Sequence, residues 1–356
     1  MTKKTLEEYL SMIGPADREA AEECRRRWDG LAKPLRSLGR LEEAVCRLAA
    51  VQGSADVGLG KRAVIVFCAD NGVVAQGVTQ CGAEVTATVA REMAAGKGNI
   101  NALARSVQAD VFPFDVGMAQ DLDSVPQHKS VHGTADISQG PALSYQQAED
   151  LVCFGIELAG QMKAQGYDIL IGGEMGIGNT TTSAAIGSVL LGCEPDLLVG
   201  RGAGLSDMGL IRKRQAIHAA IACNRPDAAR PLDVLSKLGG CDIAALCGLF
   251  LGGAVYGLPV VVDGVIAAVG ALLAYRLAPP CGEYMLASHI SREPAHKMLL
   301  AEMGLEPVIC GDLALGEGSG GALLLPLLDA ALAVYDQSST FDSFGMEAYT
   351  PQEGEG

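Results

Sequence analysis

Two glutamates framed by glycines are the residues best suited to do chemistry. Glu174 lies in the loop Gly172-Gly-Glu-Met-Gly-Ile-Gly-Asn-Thr-Thr-Thr182, and Glu317 lies in Leu315-Gly-Glu-Gly-Ser-Gly-Gly321. Glycine-rich loops that open helices bind anions, because free N–H groups and the helix dipole face the ligand. A carboxylate there would repel the anion unless it acts at the other end of the ligand. The two loops therefore predict a phosphorylated substrate that is handled by carboxylates.

Strands that alternate with helices must position these loops. The first loop follows the apolar run Tyr167-Asp-Ile-Leu-Ile171. From Arg62 onwards, runs typical of strands occur at 63–67, 111–115, 169–171, 197–199, 260–262, 284–287 and 307–309. This alternation predicts an α/β fold with a Rossmann-like, mostly parallel sheet that is covered by helices. Ligands of such sheets bind beyond the carboxyl ends of the strands, which is where the Glu174 loop is expected.

Helical runs at the two ends of the chain predict a second, smaller domain. Apolar residues recur at helical spacing among charged ones at 6–10, 16–28 and 41–51, and another helical run covers about 320–336. We expect residues 60–310 to form the large α/β domain. Residues 1–59 plus 311–345 are expected to form a small helical domain that carries the catalytic loop, and residues 346–356 a loosely ordered tail.

The composition excludes several classes of function. A formal net charge of -15 over 356 residues argues against nucleic acid and against anionic membranes as partners, since both need a basic surface. The 11 cysteines are scattered, and neither they nor the 5 histidines have the spacing of a metal site, so we expect no metal and a reducing, cytoplasmic environment. The start of the chain also lacks the apolar core of a signal peptide.

One uncharged stretch, Ile243 to Val262, is long enough to cross a membrane. It contains Pro259 and runs directly into Asp263-Gly264, with no cluster of basic residues beside it. We therefore interpret it as a buried helix over about Asp242 to Tyr256, followed by a turn and a buried strand over 260–262.

A third glycine-rich segment, Gly200-Arg-Gly-Ala-Gly204, precedes a helical run that contains Lys213. It does not fit a dinucleotide-binding loop, because the third glycine of that motif is missing and no acidic residue follows at the usual distance. Lys213 could supply a point charge to a phosphate. It could equally lie on a solvated basic turn of a helix, and the residues alone leave both interpretations open.

Five motifs, in order along the chain, together resemble one family. They are Asp70-Asn-Gly-Val-Val-Ala-Gln-Gly-Val-Thr79 with Glu84-Val-Thr86, the loop 173–182, Gly200-Arg-Gly-x-Gly-Leu205 with Arg212-Lys213, Ser288-His-x-Ser-x-Glu-Pro-x-His296, and Leu315-Gly-Glu-Gly-Ser-Gly320. The chain resembles, over about residues 5 to 340, the nicotinate-nucleotide:dimethylbenzimidazole phosphoribosyltransferases, which activate the lower ligand of cobamides.

The resemblance implies a reaction and a set of roles. Members of the family move 5-phosphoribosyl from nicotinate mononucleotide to an aromatic base, invert the anomeric carbon to the α-configuration and release nicotinate, without a cofactor. Glu317 would be the general base. Glu174 would either stabilise positive charge on the sugar or only bind ribose hydroxyls. Phosphate and ribose would be held by Gly176, Gly178, Asn179, Thr180, Gly202, Lys213 and Ser291.

The acceptor side departs from the family pattern. The expected acceptor-binding residues are Thr79, Ala83, Met175 and Leu315. Ala83 stands where many relatives have a glutamine that can hydrogen-bond a benzimidazole nitrogen. A pocket without that amide suits phenol or p-cresol, which a heterodimeric variant of the family ribosylates through oxygen, and benzimidazoles also remain candidates.

Three further questions stay open at this point. Family members are dimers with the neighbouring subunit near the active site, and the sequence allows either a homodimer or a heterodimer with a paralogue. A phosphosugar hydrolase could use the same loops with water as acceptor. A catalytically weak or silent subunit of a heterodimer is a third possibility, although such a subunit would be expected to lose the base, and Glu317 is present.

Overall fold

The centre of the protein is a five-stranded parallel sheet. A computed structural model describes residues 4–202 and 204–350. The strands of this sheet lie in the order β2-β1-β3-β4-β5. Their bounds are β1 Arg62–Ala69, β2 Ala109–Gly117, β3 Ile169–Met175, β4 Val260–Val262 and β5 Met285–Ala287. In register, Arg62 of β1 stands opposite Ala109 of β2 and Ile169 of β3. The predicted α/β class with a Rossmann-like parallel sheet is confirmed.

Helices cover both faces of the sheet. They are α1 Leu6–Leu10, α2 Arg18–Gly30, α3 Arg40–Gln52, α4 Glu84–Ala94, α5 Asn99–Ser106, α6 Tyr145–Ala164, α7 Asn179–Leu191, α8 Asp207–Asn224, α9 Pro231–Leu238, α10 Cys241–Tyr256, α11 Val265–Leu277, α12 Ala295–Glu302 and α13 Ser319–Gln337. Ile65 and Phe67 of β1 pack in a core cluster with α6, α10 and α11, whereas Val64 and Val66 pack in a second cluster with α3, α5 and α13. Burial on both faces explains why the strands read as continuous apolar runs.

Helices from the two ends of the chain pack against each other. Trp28 of α2 and Tyr335 of α13 are both buried, and their ring centroids lie 4.9 Å apart. The Tyr335 hydroxyl also donates a hydrogen bond to the carbonyl oxygen of Ala55 at 2.9 Å. These contacts place α13, which begins two residues after Glu317, against the N-terminal helices. The domain boundaries at residues 60 and 310 remain a prediction.

Two predicted strands are wrong or misplaced. Residues 197–199 form no strand: Pro195–Leu197 is a 3₁₀ turn, because proline fixes φ and has no N–H for a ladder. Of 307–309, only Ile309 is in a strand, β7 Ile309–Leu313, which pairs in parallel with β6 His289–Ser291 in a separate two-stranded sheet. In both cases the apolar run indicates burial, but it does not show whether the segment forms a strand or which strand it pairs with.

The longest apolar segments are core helices. The uncharged stretch from Ile243 forms α10 and β4 as predicted, and α10 is buried over nearly its whole length. Helix α13 is long and apolar enough to cross a membrane by length and composition, but 56% of its most apolar window is buried inside the protein. Just before the predicted tail, Phe341 is buried, and its ring lies 4.9 Å from that of Tyr349 within the tail. Residues 351–356 of the predicted loose tail lie outside the described residues.

Candidate active site

The carboxyl ends of β3 and β4 bring a group of acids together, as expected for a parallel sheet. Glu174 is in β3, and Asn179 begins α7 after the glycine-rich loop. Asp242 lies in the first turn of α10, and Asp263 follows β4. The side chains of all four residues are buried.

Asn179 ties two of these acids to each other. Its Nδ2 donates hydrogen bonds to Oε2 of Glu174 and, at 2.9 Å, to Oδ2 of Asp242. Burial raises the pKa of Glu174 to about 8, with a further contribution from the charge of Asp242 and against the effect of the Asn179 hydrogen bond. Burial also raises the pKa of Asp242 to about 6. These raised pKa values favour one retained proton on the pair near neutral pH, with Glu174 as the favoured site.

The Glu317 carboxylate is buried and is held in a turn of unusual backbone conformation. Glu317 has φ of +63°, and the glycines on either side, Gly316 and Gly318, have φ of +77° and +83°. A left-handed conformation is uncommon for a residue other than glycine, and such conformations cluster at functional sites. Oε2 of Glu317 accepts a hydrogen bond from Ile100 N at 3.2 Å. Burial raises the pKa of Glu317, and hydrogen bonds from Ile100 and Asn99 oppose the shift. This direction is what a general base working near neutral pH requires.

Asp263 holds the Glu317 turn in place. Its two carboxylate oxygens accept hydrogen bonds from Gly318 N at 3.2 Å and from Gly321 N at 3.0 Å. These N–H groups belong to the first turn of α13, where helix geometry leaves them without partners. Gly320 lies between them, and a Cβ there would be 2.1 Å from Nδ1 of His289. The anchored turn leaves Glu317 little freedom to move its backbone.

The two predicted glutamate loops meet. A Cβ on Gly173 would lie 2.7 Å from the carbonyl carbon of Glu317, and a Cβ on Gly316 would lie 2.9 Å from Oε1 of Glu174. Only glycine permits this approach at both positions. The structure therefore brings Glu174 and Glu317 to one place, although they are far apart in sequence.

A cavity of about 100 Å³ adjoins these acids and is lined by most of the predicted phosphate-binding and ribose-binding residues. They are Gly176, Gly178, Asn179, Thr180 and Gly202. Nζ of Lys213 donates hydrogen bonds to Oγ1 of Thr180 at 2.8 Å and to the carbonyl oxygen of Gly200 at 3.1 Å. Lys213 is buried, so the interpretation of a solvated basic turn is wrong for this residue. Burial lowers the pKa of Lys213 to about 8.

Ser291, the remaining predicted phosphate contact, is buried in β6. Its N–H donates a hydrogen bond to Nδ1 of His296 at 3.0 Å. Its Oγ has no hydrogen-bond partner among the residues that the structure describes. A buried hydroxyl without a partner is uncommon in native proteins and leaves Ser291 able to bind a ligand atom.

The predicted acceptor residues are spread around the site. Thr79 lines the same cavity, and its Oγ1 donates to the carbonyl oxygen of Cys81 at 2.7 Å. Ala83 precedes α4, Met175 ends β3, and Leu315 is 50% exposed. A larger cavity of about 440 Å³ lies between α2, α3 and β5, and none of the residues that line it belongs to the predicted site.

Comparison with known proteins identifies the family of this chain. A family model described as "Phosphoribosyltransferase" matches residues 13–346. A protein of Ruminiclostridium cellulolyticum named nicotinate-nucleotide–dimethylbenzimidazole phosphoribosyltransferase is 43% identical over 351 residues, which cover 98% of this chain and 100% of the relative. The chain belongs to the nicotinate-nucleotide:dimethylbenzimidazole phosphoribosyltransferase family.

Two more members of the phosphoribosyltransferase family support this assignment. A protein of Acetivibrio thermocellus with the same name is 41% identical over 345 residues, covering 96% of this chain and 98% of the relative. The crystal structure of the enzyme of that name from Thermus thermophilus superposes with a TM-score of 0.87 at 41% identity, covering 93% of this chain and 99% of that one. The resemblance inferred from the five motifs is confirmed.

Three acids near the site of this phosphoribosyltransferase had no predicted role. Asp242 is the one charged residue in the apolar run of α10, and Asp263 directly follows a buried strand. Both positions are signals that sequence reasoning can use, because a lone charge beside a buried segment needs a partner. Glu293 contacts Gly202, which lies 91 residues away in sequence, and nothing local in the sequence marks that contact.

Glu174 gives a prediction for stability against pH. Its pKa is raised from 4.5 to about 8, so its ionisation opposes folding. The contribution of Glu174 to the stability of the wild-type protein should therefore be fully present below pH 4.5. It should be lost as the pH rises through 8. We expect Glu174→Gln to raise Tm relative to wild type at about pH 8.5 and to have little effect at about pH 5, as thermal unfolding across pH will measure. Glu92→Gln, at an exposed position, is the control, and a Tm difference that did not change with pH would contradict the assignment.

Proposed function

We propose that this protein transfers 5-phosphoribosyl from nicotinate mononucleotide to an aromatic lower-ligand precursor, inverts the anomeric carbon and releases nicotinate, in the synthesis of cobamides. The observation that supports the proposal is that the Glu317 loop meets the Glu174 loop, whose continuation from Gly176 to Thr180 lines a cavity, and that Thr180 accepts a hydrogen bond from the buried Lys213. The cavity offers backbone N–H groups to a phosphate, and its nearby cationic side chains are Arg201 in the lining and Lys213 next to Thr180. The acids lie beside it, at the place where the sugar and the acceptor would meet.

The residues divide the work of the reaction between them. Glu317, in its deprotonated form, accepts the proton from the O–H or N–H of the acceptor as the acceptor bonds to the anomeric carbon. The bond from that carbon to the pyridinium nitrogen breaks, and its electron pair neutralises the ring as nicotinate leaves. Attack opposite the leaving group inverts the configuration through a transition state with oxocarbenium character.

Glu174 and the phosphate contacts serve the sugar. Lys213 and the amides of Gly176, Gly178 and Gly202 would hold the phosphate. Because Glu174 retains a proton near neutral pH, it is better suited to donate a hydrogen bond to a ribose oxygen than to act as a fixed negative charge. This supports the ribose-binding role over charge stabilisation. Thr180 and Asn179 would complete the ribose and phosphate contacts.

The preferred acceptor is inferred from the side chains that this chain has on the acceptor side of the site. Ala83 offers no side-chain donor or acceptor, and Met175 and Leu315 add apolar surface. These side chains suit an acceptor that needs one proton removed and no nitrogen recognised, which describes phenol and p-cresol. The names of the relatives instead favour dimethylbenzimidazole. We propose that both classes can be accepted, with the phenols favoured.

A competition assay tests the choice of acceptor. The purified protein is incubated with nicotinate mononucleotide and equal concentrations of dimethylbenzimidazole, phenol and p-cresol, and the products are identified by mass. Phenolic riboside phosphates should form in excess, and the Ala83→Gln variant should shift the ratio towards the benzimidazole product by about tenfold, since one recognised hydrogen bond is worth about 1.5 kcal/mol. A benzimidazole product alone from the wild-type protein would refute the phenolic preference. Nicotinate release without any riboside would identify a hydrolase.

The assembly and location are part of the same proposal. We propose a neighbouring subunit near the catalytic loop, either a second copy or a paralogue, because members of the family that the sequence resembles are dimers. The 11 cysteines are free thiols, which suits the reducing cytoplasm. A silent subunit would give product only when a paralogue is added, so the assay is run with and without one.

A further inference from the structure

Glu293 lies on the glycine loop that is expected to bind phosphate. Its Oε1 accepts a hydrogen bond from Gly202 N at 2.9 Å. A Cβ on Gly200 would lie 1.9 Å from its Oε2, so the carboxylate rests directly on the loop. Glu293 belongs to the segment that joins β6 to α12 and is not one of the residues to which the reaction above gives a role.

The charge of the Glu293 carboxylate also attracts Lys213, which lies beside the loop. A Cβ on Gly202 would lie 3.2 Å from Oγ1 of Thr180 and 3.9 Å from Nζ of Lys213, so the amide that Glu293 uses is next to both groups. The charge of Glu293 raises the pKa of Lys213, against the larger lowering by burial. Glu293 is therefore bound to the loop amide and attracted by the lysine, which is the pair of interactions that a phosphate oxygen would make there.

A carboxylate and a phosphate cannot share these groups. One N–H cannot serve two anions fully, and two like charges at contact distance repel each other. A phosphate that binds Gly202 and Lys213 must therefore move Glu293 from the loop.

We propose that Glu293 takes the phosphate position on the Gly202 loop and is displaced by the 5′-phosphate of the nucleotide, so that it sets the affinity and the selectivity of the site for phosphorylated ligands. This inference rests on the proposed function for the identity of the nucleotide. A dianionic phosphate has enough charge and enough acceptor oxygens to replace the carboxylate. A riboside without the phosphate has neither, and cannot displace it.

The test is direct binding rather than turnover. Glu293→Gln keeps the size of the side chain and an acceptor oxygen but removes the charge, and hydrogen bonds to neutral acceptors are about half as strong. Because the apparent affinity of a ligand is reduced by the fraction of protein in which its site is blocked, we expect the variant to bind inorganic phosphate and nicotinate mononucleotide about fivefold more tightly, measured by calorimetry. Glu92→Gln removes one exposed charge elsewhere and should bind as wild type does.

The outcomes separate this inference from the proposed function. Unchanged or weaker binding of inorganic phosphate by Glu293→Gln overturns the inference and would indicate that Glu293 only holds the loop in shape. A thermal melt shows whether the variant is folded, and Glu293→Asp, which keeps the charge on a shorter side chain, gives a second variant that should also bind phosphate more tightly. Tighter phosphate binding by Glu293→Gln with no binding of nicotinate mononucleotide to any form supports the inference and counts against the proposed function.

Discussion

Replacing Glu317 by Gln should lower turnover by about three orders of magnitude, since a general base contributes roughly 10²–10⁴ to rate. The substitution keeps the size of the side chain and an oxygen that can accept the hydrogen bond from Ile100 N, which is 3.2 Å from the carboxylate in the wild type. It removes only the capacity to take up a proton. Single-turnover formation of the riboside phosphate, followed by mass, measures the effect.

The same variant should bind nicotinate mononucleotide almost as tightly as the wild type, within about threefold, because in the proposed reaction the base would face the acceptor and not the phosphate. Asp312→Asn is a matched control: Asp312 lies five residues earlier, is exposed and also has a positive φ, of +50°. It should retain wild-type turnover. Comparable turnover in Glu317→Gln and Asp312→Asn would remove Glu317 as the base.

The pH profile of the wild-type enzyme provides a second check on the base. Burial raises the pKa of Glu317, so the carboxyl is protonated and inactive over a wider acidic range than an exposed glutamate. The rate of the chemical step should therefore increase as pH rises through this raised pKa. Glu317→Gln has no proton to lose, and the residual rate of the variant should not show that increase.

Sequence reasoning could predict the parts of the site that are encoded locally. Glycines near an acid, after a strand and before a helix, identify both glutamate loops, because glycine adopts the positive φ of Gly316 and Gly318 without strain and allows the close approach at Gly173. The rule for parallel sheets places the Glu174 loop at the carboxyl edge of the main sheet. The Glu317 loop follows β7 of the separate two-stranded sheet, so only the resemblance to the family led us to expect it beside Glu174.

The remaining parts depend on contacts between distant segments. The partner of Asn179 is Asp242, which lies 63 residues later at the start of a buried helix, and its spacing in sequence carries no information about the hydrogen bond. The burial of Lys213 is also invisible in a helix of mixed charge, where its neighbour Arg212 is exposed. The prediction of a strand at 197–199 was wrong. Leu198 and Val199 are buried after a proline turn, and a short run of buried apolar residues has the same sequence pattern as a strand.

Replacing Lys213 by Met should weaken the binding of nicotinate mononucleotide by about 100-fold. A charge-assisted hydrogen bond to a phosphate is worth about 1.5–3 kcal/mol, and about 1.4 kcal/mol corresponds to a tenfold change in affinity. Methionine fills similar space without a charge. Lys297→Met, at an exposed position in α12, is the control and should bind the nucleotide as the wild type does.

The stability of Lys213→Met distinguishes a functional lysine from a structural one. The pKa of Lys213 is lowered from 10.5 to about 8 because burial disfavours its charged form. In the wild type this group therefore makes folding more favourable as the pH rises from 8 to 10.5, and costs stability at neutral pH, where the buried amine must be charged. The variant avoids that cost but loses the hydrogen bonds to Thr180 and Gly200.

We expect the Tm of Lys213→Met, relative to wild type, to be higher at about pH 7 than at about pH 10.5, while nucleotide binding is weak at both. A uniform loss of Tm with unchanged nucleotide affinity would make Lys213 a structural residue. A relative Tm that is highest near neutral pH, together with weak binding, means that the protein keeps a destabilising buried charge because the phosphate requires it.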